Sequence, residues 1–277
     1  MTASERWRRA LEALAIPDAI LAAAPETPWG FPPELLRRRT ETAAAREPSA
    51  LLDRAAEALP AGGTVLDVGC GAGASSIPLG GRVGHLTGVD TSDRSLEAFL
   101  EAASTAGVPA SAIAGGWPEV ADRVPDADAV VSGHVLYNVA NLAPFVAALT
   151  RHARRRVVVE ITERHPLAWT ADLWERFHGI VRPDAPSADD AEAVLREVGL
   201  SVERDDREVE PGSGGFERRD DAVALVRRRL CLPAERDAEI AEALGDRLVE
   251  REGGWSAGPV TQRLVTVWWD GGARGAS

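Results

Sequence analysis

The run Val65-Leu66-Asp67-Val68-Gly69-Cys70-Gly71-Ala72-Gly73 constrains this chain more than any other. A short apolar stretch carries one acid and then turns through three glycines at alternate positions. Glycine reaches backbone conformations closed to other residues and lets a ligand approach where a side chain would clash. Further on, Leu86-Thr87-Gly88-Val89 ends in Asp90. An acid at the end of a second strand is placed to accept both hydroxyls of a ribose. A strand, a glycine turn and a second strand closed by an acid describe an α/β sheet with a pocket for a nucleoside-containing cofactor.

The rest of the chain agrees. Extended runs at 64–68, 85–89, 110–114, 127–132 and 156–161 alternate with helical patterns, clearest at 92–106 and 142–153. Ser92 is placed to cap the first of these helices. Such alternation predicts a parallel sheet with helices on both faces. A helix at 188–198 stops at Gly199, and two further extended runs follow at 200–209 and 263–269. Between them, 220–229 and 234–251 read as helices. The pair Trp268-Trp269 predicts a strand with one indole on each face. Ahead of the sheet, Trp7, Leu11, Leu14 and Ala15 fall at helical spacing until Pro17, and 49–59 forms a second amphipathic stretch. The expected organisation is an N-terminal helical lid over 1–60 and a main domain over 61–277, with a helical insertion before the last strand.

Composition narrows the function. The net charge is −12 over 277 residues, which disfavours general binding to a phosphate backbone. All 31 basic residues are Arg, so no lysine serves as base, nucleophile or Schiff-base former. The two cysteines, Cys70 and Cys231, lie far apart and form no metal or disulfide spacing, consistent with a reduced, cytoplasmic setting. Neither a signal peptide nor a membrane-spanning run is expected.

In open parallel sheets, ligands sit at the carboxyl ends of the strands. The first strand end offers Asp67 and the glycine turn, the second Asp90 and Thr91, the third Gly115-Gly116-Trp117, the fourth Ser132-Gly133-His134 with Tyr137 beyond, and the fifth Glu160, Glu163 and His165. With these residues in place, the chain resembles the class I methyltransferases that use S-adenosylmethionine. The resemblance covers about residues 64–161 and continues more weakly to 269. It implies a Rossmann-like seven-stranded, mostly parallel sheet and, as product, S-adenosylhomocysteine. It implies that Gly69, Cys70, Gly71 and Gly73 line the cofactor, with Asp67 orienting the loop or contacting the methionine amine through water. It further implies that Asp90 and Thr91 meet the ribose, that Gly116 and Trp117 lie at the adenine, and that Ser132 and His134 border the transferable methyl group. The acid the family often carries after the third strand is replaced by Gly115-Gly116, the nearest acid being Glu119.

The rival cofactor, a nicotinamide dinucleotide, wants G-x-G-x-x-G, whereas Ala74 and Ser75 follow the third glycine here. His134 is a candidate base for a protonated acceptor, against the alternative of a pocket-wall histidine. Tyr137, the only tyrosine, either steers substrate or packs. Glu160, Glu163 and His165 invite a metal reading, but no ligand motif supports it and no metal is expected. Glu163 and His165 are expected at the substrate mouth, with Trp174 from a following amphipathic segment and Trp29 and Phe31 from the lid. The expected activity is methyl transfer to a small molecule, an oxygen acceptor being favoured. The alternative is a non-catalytic, cofactor-binding partner subunit that kept the fold.

Overall fold

The computed structural model describes residues 1–29, 49–209, 215–251, 254–259 and 261–272. Five strands, β1 (Gly63–Val68), β2 (Val83–Asp90), β3 (Ala110–Ala114), β4 (Ala127–Gly133) and β5 (Ala153–Thr162), run parallel to one another. Two more, β6 (Glu203–Val209) and β9 (Gln262–Asp270), complete the seven-stranded sheet in the order β3-β2-β1-β4-β5-β9-β6. β9 is antiparallel to both of its neighbours. The chain steps outward from β1 to β3 and returns to β4 beside β1. A crevice forms where strand order reverses in this way, at the carboxyl ends of β1 and β4.

Alternation along the strands divides the core into two layers. Leu66, Val130, Val157, Val159, Val265 and Trp269 face one side. That layer is covered by α1 (Ala3–Ala13), α5 (Leu142–His152) and α7 (Ala188–Glu197). Val65, Ala129, Val131, Val158 and Trp268 face the other, beneath α3 (Ala50–Ala58) and α4 (Asp93–Thr105). The adjacent indoles of β9 thus enter opposite layers, as a two-residue period requires. Ser49 caps α3 through the Leu52 amide, and Ser92 caps α4 through the Ser95 amide.

A third core stands apart from the sheet. It joins α6 (Ala171–His178), α8 (Arg219–Arg229) and α9 (Asp237–Leu244) to a hairpin of β7 (Leu248–Arg251) and β8 (Gly254–Ala257). Ile16, Ile20 and Ala24, around α2 (Asp18–Ala23), pack onto it. Arg247 pins this cap. Its guanidinium donates two bonds to the Asp172 carboxylate, both at 2.8 Å, and others to the carbonyls of Trp169 and Ala243. Arg227, buried in α8, pairs with Glu26 at 2.8 Å and Asp237 at 3.0 Å.

Two expectations are redrawn by this packing. The predicted helix over 234–251 ends at Leu244, because Gly245 turns the chain (φ 49°) and 248–251 finds a strand partner in 254–257. The 1–60 segment is not a uniform lid. Trp7 is buried in the first layer with its Nε1 donating to the Val139 carbonyl at 2.8 Å, Leu51 and Ala55 belong to the second, and Ile16, Ile20 and Ala24 join the cap, which Glu26 also meets through Arg227. Among the described residues no helix is long and apolar enough to cross a membrane.

Candidate functional site

The glycine turn leaves β1 and is held by β2. The amides of Gly69 and Cys70 both donate to the Val89 carbonyl, at 2.8 and 3.1 Å. Asp90 closes the arrangement: its Oδ2 accepts from the Gly71 amide at 3.0 Å and its Oδ1 from the Ser92 amide at 2.9 Å. The three glycines serve different ends. All have positive φ, but a Cβ on Gly69 would collide with Val135, and one on Gly73 with Ile77 and Phe99. A Cβ on Gly71 would meet nothing within 4 Å. Gly69 and Gly73 are therefore packed against protein, and Gly71 presents its open face outward.

Asp67 sits wholly buried beneath the turn. Its Oδ2 accepts from Ser76 Oγ at 2.6 Å, while its Oδ1 is buried without a hydrogen-bond partner. Burial pushes this carboxyl up to about 7; the Ser76 bond works against the shift and the neighbouring Asp90 charge works with it. An orphaned buried acceptor beside an open backbone cradle suits a ligand that brings donors and carries positive charge. These residues fit S-adenosylmethionine, whose amino-acid end brings an ammonium donor and whose sulfonium carries positive charge. Cys70 contributes only backbone: its thiol is buried in the second layer, and burial with two nearby carboxylates raises it away from ionisation.

The loops after β2 and β3 adjoin. The Gly115 amide donates to the Asp90 carbonyl at 3.0 Å, and a Cβ on Gly116 would stand 3.2 Å from Glu119 Oε2 and 4.0 Å from Thr91 Cγ2. Glu119 therefore returns an acid to the place where Gly115-Gly116 had left none. Trp117 departs from expectation. Its Nε1 donates to the Phe145 carbonyl at 3.2 Å and its ring meets His152 edge-on, so the indole is committed to α5.

Past β4, Ser132 is fully buried and donates to the Val68 carbonyl at 2.9 Å, tying β4 to β1 rather than meeting a ligand through its side chain. His134 takes a left-handed conformation (φ 60°), anchored by its amide donating to the Glu160 carbonyl at 2.7 Å. That conformation is uncommon for a residue with a Cβ and is a mark of sites under structural constraint. The His134 Nε2 lies 3.7 Å from Glu160 Oε1, and its side chain is half exposed. Glu160 is itself buried, its Oε2 accepting from Thr266 Oγ1 at 3.1 Å. Val135, against which Gly69 packs, sets this pair next to the glycine turn. Tyr137 is a packing residue: its hydroxyl is taken up by Thr162, and burial pushes it up to about 12.

A cleft of about 240 Å³ opens at the ends of β5 and β9, under the cap. Glu163, His165, Trp169 and Gln262 are among its walls. Glu163 and Arg263 pair across its rim at 3.1 Å. His165 Nδ1 accepts from the Leu167 amide at 3.1 Å, and burial, aided by the Arg182 charge, pushes this imidazole down to about 4. Glu163 and His165 are thus brought together, but Trp174 is not with them. It is buried in the cap core, stacked on His178 and covered by Arg182 3.8 Å away. Trp29 is exposed, tied to the cap through Arg229 donating to the Pro28 carbonyl at 2.8 Å, and Phe31 lies outside the described residues. Among the described residues no group of three or more His, Cys, Asp or Glu is arranged to hold a metal ion. Sequence reading passed over Thr266 and Arg182; nothing marks either among their neighbours until β9 and the cap are folded.

A family profile described as a methyltransferase domain matches residues 37–204. Among solved structures, the chain is similar to a protein of echinomycin biosynthesis associated with conversion of a disulfide bond into a thioacetal group, with 18% identity and a TM-score of 0.55 over 93% of this chain and 92% of that one. It is similar to the YcgJ protein of Bacillus subtilis, with 16% identity and a TM-score of 0.52 over 84% of this chain and 98% of that one. It is also similar to a protein of Bacillus halodurans C-125, with 15% identity and a TM-score of 0.53 over 83% of this chain and 98% of that one. At these identities the likenesses show the fold alone. No curated protein sequence matched. With the profile spanning more than half of the sequence, the chain belongs to the methyltransferase-domain family and is an S-adenosylmethionine-dependent methyltransferase.

Proposed function

We propose that this enzyme methylates an oxygen atom of a small molecule seated in the cleft between β5, β9 and the cap. When bound, S-adenosylmethionine supplies an electrophilic methyl carbon on a sulfonium. The backbone of Gly69–Gly73 would hold its amino-acid end over Asp67. Asp90 would hold the ribose: each carboxylate oxygen already accepts one amide and retains a lone pair for a hydroxyl. Thr91, Gly116 and Glu119 would border the adenine. The cleft volume falls below the usual range for drug-sized ligands, which supports a small acceptor. The net charge of −12 argues against general nucleic-acid binding.

The observation that carries the oxygen reading is the His134–Glu160 pair. A hydroxyl must lose its proton as it attacks, whereas a neutral amine attacks with its lone pair. His134 takes that proton, and the Glu160 carboxylate, held by Thr266, stabilises the imidazolium through Nε2. The remaining acceleration comes from holding acceptor and donor in line and excluding water, worth up to about 7–11 kcal/mol in favourable cases.

The test uses a panel of hydroxylated aromatics, amines and bulk nucleic acid with labelled S-adenosylmethionine. His134→Ala should lower kcat on a hydroxyl acceptor by about 10²–10⁴-fold. Its affinity for S-adenosylhomocysteine should not change. Full activity in His134→Ala, or labelling confined to amines or nucleic acid, would remove the reading.

A further inference from the structure

Every charged side chain in the described wall of the cleft already has a counter-ion. Glu163 and Arg263 pair with each other at 3.1 Å, and Arg164 pairs with Asp184 at 2.7 Å. The rest of the wall is neutral. Pro166, Trp169 and Pro259 give it apolar surface, and Thr162 is closed, its hydroxyl bonded to Tyr137 and to the Arg164 carbonyl. His165, in the same wall, is fixed on two sides. Its Nδ1 accepts the Leu167 amide at 3.1 Å, and its ring meets the Tyr137 ring edge-on with centroids 5.5 Å apart. A ring nitrogen that accepts an amide carries no proton, so the neutral imidazole has its proton on Nε2. Burial, with the Arg182 charge adding to it, keeps the ring in that neutral form. Nε2 bonds to no described residue and is not sealed from solvent. It is the open polar atom that His165 brings to the cleft, a donor held in one tautomer.

Resting on the small-molecule reading above, we propose that the acceptor is an uncharged aromatic molecule that presents a carbonyl oxygen to His165 Nε2–H, which makes His165 a specificity-determining residue. A carbonyl takes this donor and brings no charge to a wall whose ion pairs are complete. A carboxylate would accept the same N–H, but it would leave water for a wall whose cations, Arg164 and Arg263, are already taken, and its desolvation would not be repaid. An ammonium would suffer the same loss and has no lone pair to accept the N–H. Trp169, on the same wall, supplies an aromatic surface for the body of such a molecule. The acceptor class is therefore a small hydroxylated aryl ketone, ester or amide.

Calorimetric titration of acetophenone, benzoate and benzylamine into the full chain saturated with S-adenosylhomocysteine tests this without requiring turnover. The three probes put a neutral carbonyl, an anion and a cation on one ring. The ketone should bind the wild type about tenfold or more tightly than either ion. His165→Phe, its fold checked by thermal unfolding, should weaken ketone binding about three- to tenfold. His165→Gln, which returns an N–H near the place of Nε2, should recover most of that loss. Equal or tighter binding of either ion, binding of no probe, or full ketone affinity in folded His165→Phe would each overturn the proposal. The wild-type comparison decides even if the Phe variant fails to fold. Ketone-selective binding that depends on His165, together with no methylation of any hydroxyl compound, would instead sink the oxygen-acceptor reading and leave this anchor standing. Methylation of hydroxybenzoates in preference to hydroxyacetophenones would do the reverse.

Discussion

The two ends of the strand-carboxyl surface are made of different material. At β1 and β2 the site is backbone: three positive-φ glycines, amides donating to Val89, and one carboxylate that fixes the turn. At β5 and β9 it is side chains: His134 on Glu160, Glu163 on Arg263, His165 on the Leu167 amide. At Gly69 and Gly73 the turn is closed tightly against Val135, Ile77 and Phe99, so an added methyl group there has nowhere to go. The proposed acceptor end is an open cleft between two separately cored units, the sheet and the cap. On the proposed assignment, the contrast teaches how one fold could keep a fixed cofactor seat while side chains that can change without disturbing it set the acceptor. The buried titratable groups differ in the same way. Asp67 beneath the glycine turn is pushed up and His165 in the cleft wall is pushed down, each by burial that favours its neutral form.

The contrast breaks most sharply under a single methyl group. Gly69→Ala should destabilise the protein by about 2–5 kcal/mol, from left-handed strain and from overpacking on Val135. Thr261→Ala, on the cleft rim, should cost less than about 0.5 kcal/mol. Urea denaturation of both variants checks the difference, and equal losses would remove the distinction between a rigid seat and a permissive cleft. Next in size, Asp90→Ala should weaken S-adenosylhomocysteine binding by about 10- to 150-fold, since the turn loses its amide acceptor and the ribose its partner. Titration of a folded variant with undiminished affinity would refute that assignment.

Smaller effects fall on the cap and on pH. Arg247→Met removes the forked bond to Asp172 and the carbonyl contacts that pin α6 to α9. Its cost should be about 1 kcal/mol, because Asp172 is largely exposed. Hydrogen exchange should speed in the cap and stay unchanged in β1 and β4; faster exchange throughout would show that cap and sheet open as one unit. The two buried titrations act in opposite directions. Asp67 binds its proton more tightly folded than unfolded, so its contribution falls as pH rises from about 4 to 7. His165 binds its proton less tightly folded, so its contribution is lost as pH falls from about 6.5 to 4. In denaturation across this range, Asp67→Asn should remove the first dependence and make stability rise more with pH than in the wild type. An unchanged profile would mean that Asp67 is not buried as an acid.

The glycine turn and its closure by Asp90 were legible because their determinants are local. Gly69, Gly71, Gly73 and Asp90 lie within about two elements of one another, and the turn needs those residue types whatever surrounds it. The strands were equally legible, since alternation at the pleat period reports which faces are covered, as Trp268 and Trp269 show. The hairpin at 248–257 was not, because 248–251 reads as a helix continuation until Gly245 turns the chain and 254–257 supplies a partner. Nor was the fate of the aromatic residues. Trp117, Tyr137 and Trp174 suit a ligand wall or a core equally well by composition, and packing assigned all three to protein neighbours.

By itself, then, the sequence determined the sheet, its glycine turn and the acid that closes it, since short-range spacing and backbone sterics specify them. Only the tertiary structure decided which charges meet. Glu160 reaches His134 because β4 and β5 are adjacent, and Thr266 reaches Glu160 because β9 folds back between β5 and β6. Arg182 meets both Trp174 and the Leu14 carbonyl because the cap and the N-terminal segment fold together. Those partnerships join residues distant in the chain, and no local propensity encodes a contact whose energy exists only once both sides are in place.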